Sequence, residues 1–172
     1  MNQPIIIVGF MGSGKTTVAY ELAALLESEA VDLDQVIAKT VGRTAREIIE
    51  EDSESAFRVI ETRTLRKVLN EGGSTVIALG GGAWIQEENR GLIALYDGLS
   101  VWIDAPFDLC WNRIAAAGAD RPLARSRAQA HALYLQRKGI YELADLHIDG
   151  GDPARVASAI KAALESSDLS SL

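Results

Sequence analysis

The stretch "GFMGSGKTTVAYELAALL", Gly9 to Leu26, decides how this chain is read. Glycines at positions 9, 12 and 14 lead into Lys15, Thr16 and Thr17. Helical spacing then begins, with apolar residues at Val18, Leu22, Leu25 and Leu26. Just upstream, Ile5 to Val8 is a short β-branched apolar run, the pattern of a strand buried on both faces. A backbone stripped of side chains next to a cation asks for an anion that approaches very closely.

Gly9-x-x-x-x-Gly14-Lys15-Thr16 is the P-loop pattern. Gly9, Gly12 and Gly14 permit the tight path, and the helix behind them turns its positive dipole end on the phosphates. Gly12, Ser13, Gly14, Lys15, Thr16 and Thr17 are the residues expected around the phosphates of ATP. Lys15 reaches the β- and γ-phosphates, and the Thr16 hydroxyl helps to hold Mg²⁺. The bare pattern is also met as a flexible turn; the strand before it and the helix after it favour the phosphate site. The chain has no Asn-Lys-x-Asp, which speaks against a guanine-selective GTPase, and it is short for a motor or transporter ATPase. A small-molecule or nucleotide kinase is the natural class.

Working outward, strand and helix patterns alternate. Strands are expected at Ala30–Asp34, Ser74–Leu79, Leu99–Pro106 (with its turn) and Leu146–Asp149. Helices are expected at Thr44–Asp52, Glu54–Asn70 (N-capped by Ser53), Glu87–Leu95, Phe107–Ala116, Ala128–Leu143 and Pro153–Glu165. Gly118–Arg127 reads as an irregular, mobile lid and the tail from 166 to 172 as frayed. The alternation predicts an α/β, doubly wound, mostly parallel sheet flanked by helices, with ligands at the carboxyl ends of the strands.

The 172 residues suit one domain. A net charge of −7 is a poor match to duplex nucleic acid or an anionic membrane, so neither is an expected partner. Cys110 is the only cysteine, which excludes an intrachain disulfide and fits a reducing cytosol. No signal peptide or membrane span is read, so a cytoplasmic location and a monomer are the expectations.

Asp32 and Asp34 close the expected second strand. Residues two apart in an extended chain face the same way, so both carboxylates would point at the phosphate site. One would serve Mg²⁺ and the other would accept a hydroxyl proton. The basic residues are unevenly spread: between Leu109 and Tyr141 there are six, against Asp120 as the one acid. Arg125, Arg127 and Lys138 read as a solvated face. Arg121, in "GADRPL", reads as an arginine that a lid could carry over the phosphates.

Together, "GFMGSGKT", "DLD", "FRVIE", "ALGGGA", "RPL" and "RKGIY", in this order, closely resemble shikimate kinase from Ile5 to about Leu164. The resemblance implies a P-loop NTPase fold with five parallel strands in the order 2-3-1-4-5. It implies ATP-dependent phosphorylation of the shikimate 3-hydroxyl, a step towards chorismate and the aromatic amino acids. Carried over by position, Asp34, Arg58, Gly81 and Arg137 bind shikimate, Arg121 is the lid arginine, and Thr16 with Asp32 serve Mg²⁺. Lys15, Asp34 and Arg121 are then the catalytic candidates. The residues agree, since Arg58 and Arg137 can each grip a carboxylate as a planar fork. Their plain alternatives are an exposed Arg58 paired with Glu54 or Glu61, and a loose turn at Gly80–Gly82. The chain departs from the family at Gly139, where proline is usual, at Ala124 in "RPLA", and near the last strand, which lacks an arginine for the adenine; Arg113 becomes the adenine-side candidate. A kinase of another polyol acid, such as gluconate, and a non-catalytic relative are the competing readings.

Overall fold

The structure is a computed structural model and describes residues 3–72, 75–118 and 126–169. Five parallel strands form one sheet: β1 (Ile5–Val8), β2 (Glu29–Asp32), β3 (Thr75–Ala78), β4 (Leu99–Asp104) and β5 (Leu146–Asp149). Their order is β2-β3-β1-β4-β5, as expected. β1 lies at the centre, with Ile5 paired to Val76 on one side and Leu99 on the other. All four β1 residues are buried, which is why that run carries no polar alternation.

Eight helices surround the sheet among the described residues: α1 (Lys15–Leu25), α2 (Leu33–Val41), α3 (Ala45–Glu51), α4 (Glu54–Glu71), α5 (Glu87–Leu95), α6 (Phe107–Ala116), α7 (Arg127–Tyr141) and α8 (Pro153–Leu169). α1 packs on α8, and α2, α3 and α4 pack on one another. Ser53 caps α4 through a bond from the Ala56 N–H, as expected, and Thr44 with Glu47 forms a reciprocal capping box on α3.

Beyond shifts of one or two residues at element ends, three differences from the sequence reading matter. The second strand stops at Asp32, because pairing with β3 ends at Asp32↔Ala78 and the Asp32 carboxylate turns to accept the Gln35 N–H. That cap starts α2, a helix the sequence reading does not foresee. Arg127 belongs to α7, whose N-cap Ser126 accepts the Gln129 N–H, and not to the expected lid. At the other end, α8 continues to Leu169 where fraying was expected from 166; the Ser166 hydroxyl donates back to the Ala162 carbonyl. Residues 119–125 of the expected lid, with Arg121, lie outside the described residues.

Candidate active site

The carboxyl ends of β1, β2 and β3 open onto a cleft of 730 Å³. The loop Gly9–Gly14 and the start of α1 line one side. The first turn of α2, the flank of α4 and Gly80–Gly82 line the other, with Arg113 and Arg137 reaching in from α6 and α7. Of the sequence-predicted residues, Gly12, Gly14, Lys15, Thr16, Thr17, Asp32, Asp34, Arg58, Gly81, Arg113 and Arg137 meet there. Ser13 is buried within the loop, and its Oγ has no hydrogen-bond partner among the described residues.

On the P-loop side, α1 begins from Gly14, which sits in the left-handed region (φ 97°) and offers no side-chain cap. A helix start without a side-chain cap turns its positive dipole end toward an anion. Gly12 is dictated by contact as well as conformation: a Cβ there would stand 2.5 Å from the Cys110 carbonyl oxygen on α6. The Lys15 ammonium is drawn into the loop and donates to the Phe10 carbonyl at 2.8 Å. The Thr16 hydroxyl donates to Asp32 Oδ2 at 2.5 Å. This adjacent hydroxyl and carboxylate are hard oxygen donors, the kind Mg²⁺ takes, beside a loop shaped for phosphate. Arg113 donates to the carbonyls of Gly12, Ser13 and Gly151.

On the opposite side, Asp34 shares the cleft with Asp32, but not by strand alternation. Asp32 is the N-cap of α2 and Asp34 lies in its first turn, where the helix dipole favours a carboxylate. Arg58 on α4 makes both of its anticipated pairs: Nη1 donates to both oxygens of Glu61 (3.1 and 2.8 Å) and Nη2 to Glu54 (3.0 Å). It still lines the cleft, and its Nε is buried without an acceptor among the described residues. Glu61 is fully buried. Burial pushes its carboxyl up to about 7; Arg58 pulls it down, Asp34 adds to the push, and Arg137 opposes it.

Gly80–Gly82 is not a loose turn. A Cβ at Gly82 would stand 2.2 Å from Arg58 Nη2, and one at Gly80 would stand 3.0 Å from Asp34 Oδ1. The polar side chains of the cleft pack directly on this backbone. Tyr141 stacks on Trp102 and its hydroxyl donates to the Gly81 carbonyl. Burial raises that phenol to about 12, against the pull of Arg137 one helical turn earlier, so it stays a donor. The Trp84 indole N–H donates to the Ile140 carbonyl at 2.9 Å, which fastens the same loop to α7. Phe57, next to Arg58, is buried and lines the cleft.

The model of the shikimate kinase family matches residues 11–166. The chain belongs to the shikimate kinase family. A shikimate kinase from Cereibacter sphaeroides is 37% identical over 155 residues, covering 88% of this chain and 76% of that protein. One from Streptococcus thermophilus is 36% identical, covering 91% and 97%. The solved structure of the Acinetobacter baumannii shikimate kinase in complex with shikimate superposes with a TM-score of 0.89 at 32% identity, covering 97% of this chain and 95% of that one. The chain is an ATP-dependent kinase.

Seen as a shikimate kinase site, the cleft holds residues the sequence reading passed over. Glu61 was visible only as a possible partner for an exposed arginine; its burial comes from tertiary packing that no i,i+3 spacing reports. Gly82 was visible as part of a glycine run, without the guanidinium it accommodates. The three carbonyl acceptors of Arg113 lie in loops distant in sequence and left no local signal.

Proposed function

We infer that this kinase transfers the γ-phosphoryl group of ATP to the 3-hydroxyl of shikimate, giving shikimate 3-phosphate and ADP. What carries the inference is the single cleft that joins an uncapped P-loop helix to a carboxylate and two guanidiniums, Asp34, Arg58 and Arg137. Gly12, Ser13, Gly14, Lys15, Thr16 and Thr17 bind the phosphates, Lys15 leaving the Phe10 carbonyl for the β- and γ-oxygens. Thr16 and Asp32 would hold Mg²⁺, which when bound neutralises charge on the phosphate oxygens. Arg58 and Arg137 take the shikimate carboxylate as forks. The buried Arg58 Nε supports this, because a donor without an acceptor costs about 1–3 kcal/mol until one arrives. Gly81 offers backbone to the ring hydroxyls, and Asp34 orients the reacting hydroxyl and accepts its proton. Arg121 is assigned to the phosphates by its position in "RPL".

An assay of ADP release, run with shikimate and with gluconate, tests this. ADP should appear with shikimate and not with gluconate. Equal turnover of both would overturn the assignment of the paired arginines, and turnover of neither would refute the kinase reading of the cleft.

A further inference from the structure

Arg137 and Tyr141 lie four residues apart on α7, so their side chains leave the same face of the helix. That face meets the turn after β3 that begins with Gly80–Gly82. The Tyr141 hydroxyl donates to the Gly81 carbonyl. The Arg137 guanidinium acts on the same hydroxyl, by its charge and by hydrogen bonding. A Cβ on Gly81 would stand 3.7 Å from Arg137 Nη1, so the guanidinium lies against this glycine. A second tie runs the opposite way, from the Trp84 indole N–H to the Ile140 carbonyl at 2.9 Å. Turn and helix thus each give the other one donor.

The far end of the turn is held from α5. Asn89 Nδ2 donates to the Ala83 carbonyl at 2.9 Å, and Arg90 Nη1 donates to the Trp84 and Ile85 carbonyls at 2.7 and 2.9 Å. The Tyr141 bond holds the glycine end, which faces the cleft. Tyr141 itself stands behind the cleft wall: it is buried, and its ring stacks on Trp102 with centroids 6.3 Å apart. Its effect on a bound acceptor must therefore pass through the two groups it touches. Holding the Gly81 carbonyl fixes the plane of the Gly81–Gly82 peptide, which is trans, so the N–H of that peptide points away from α7. Holding Arg137 limits the rotamers its guanidinium can take before a ligand arrives, and a side chain ordered in advance costs less to order on binding.

We propose that Tyr141 is a positioning residue for the acceptor substrate: its hydroxyl joins Arg137 to the Gly81 peptide and presents guanidinium and glycine turn to a carboxylate-bearing ligand as one unit. The proposal rests on the shikimate reading given above.

Tyr141→Phe removes one oxygen and keeps the ring against Trp102. Steady-state kinetics on the full chain, with shikimate and ATP varied in turn, should show the Michaelis constant for shikimate raised about five- to tenfold, the scale of one lost hydrogen bond. The turnover number and the Michaelis constant for ATP should stay near the parent values, because what is lost is binding of the acceptor. In an Arg137→Ala background the same change should cost no more than about twofold, since the guanidinium it orients is gone. If Tyr141→Phe does not fold, Trp84→Phe, which cuts the other tie between the turn and α7, carries the same measurements. An unchanged Michaelis constant for shikimate would overturn the proposal. So would a loss shared equally with ATP, which would leave Tyr141 a packing residue only, or full additivity with Arg137→Ala. A parent chain that does not phosphorylate shikimate would bring down the acceptor reading and this proposal with it, and that result shows before any variant is made.

Discussion

Replacing Gly82 by alanine should disable substrate recognition while leaving the fold nearly untouched. The new Cβ would meet Arg58 Nη2 at 2.2 Å, Cζ at 2.6 Å and Nη1 at 2.7 Å. Ordinary carbon contacts need about 3.5 Å, so the guanidinium must retreat by roughly 1 Å or more. It can do so, because it is the far end of a flexible side chain, and Gly82 has no positive φ to penalise alanine. The fold therefore accommodates the methyl group by giving up the position of Arg58. What is lost is the fork on the carboxylate and part of the bonding to Glu61 and Glu54. A charge-assisted hydrogen bond is worth about 1.5–3 kcal/mol, so the Michaelis constant for shikimate should rise roughly ten- to hundredfold, with that for ATP little changed. The assay is a double-mutant cycle of Gly82→Ala with Arg58→Ala, read as kcat/KM. Once Arg58 is gone the alanine has nothing left to displace, so the double mutant should be no worse than Arg58→Ala. Gly91→Ala, where a Cβ meets nothing within 4 Å, is the control and should be silent. Additive losses in the cycle, or an unchanged Michaelis constant for Gly82→Ala, would refute the reasoning.

Four further substitutions probe the rest of the cleft. Lys15→Ala should abolish turnover and, by removing the bond to the Phe10 carbonyl, lower stability by only about 1 kcal/mol; substantial activity in the mutant would contradict the phosphate assignment. Arg58→Lys and Arg137→Lys should each cost about ten- to hundredfold in kcat/KM for shikimate but little for an analogue lacking the carboxylate, since lysine has no planar fork; equal losses with both compounds would remove these arginines from the carboxylate. Glu61 holds its proton up to about 7 in the folded state, against the ordinary 4.5. Between those values the folded chain binds a proton the unfolded chain has released, so this group's contribution to stability falls as pH rises through the window, by up to roughly 3 kcal/mol. Urea unfolding at pH 5 and pH 8 should show a smaller decline for Glu61→Gln than for the parent, and identical declines would mean that Glu61 titrates normally.

Sequence alone reveals what is local and repeats a pattern. The P-loop needs four residues at fixed spacing over eight positions, between a strand and a helix, and every one of those features is contiguous. The strand order and the residues assigned to shikimate came through family resemblance, because Arg58, Gly81 and Arg137 are brought together only by the fold. Asp34 shows how a correct placement can rest on the wrong geometry: "VDLD" alternates like a strand, yet the Asp32 carboxylate captures the Gln35 N–H and converts the second half into a helix turn. Arg58 shows two readings holding together, since it is paired with Glu54 and Glu61 and still lines the cleft. Glu61 shows the limit, because burial of one carboxylate depends on everything packed around it.

The strand order also sets a timetable for the chain as it is made. β1 is synthesised first but sits in the middle of the sheet, and its partners Val76 and Leu99 emerge much later. Until then a growing chain carries Ile5–Val8 as an apolar strand with both edges open, the kind of segment that chaperones cover and that aggregates when they do not. The nucleotide loop matures later still. Its turn packs against the Cys110 carbonyl and its Gly12 and Ser13 carbonyls accept from Arg113, while Gly151, the third acceptor, is among the last parts to appear. N-terminal fragments ending ahead of β5 should therefore be unable to bind the nucleotide tightly.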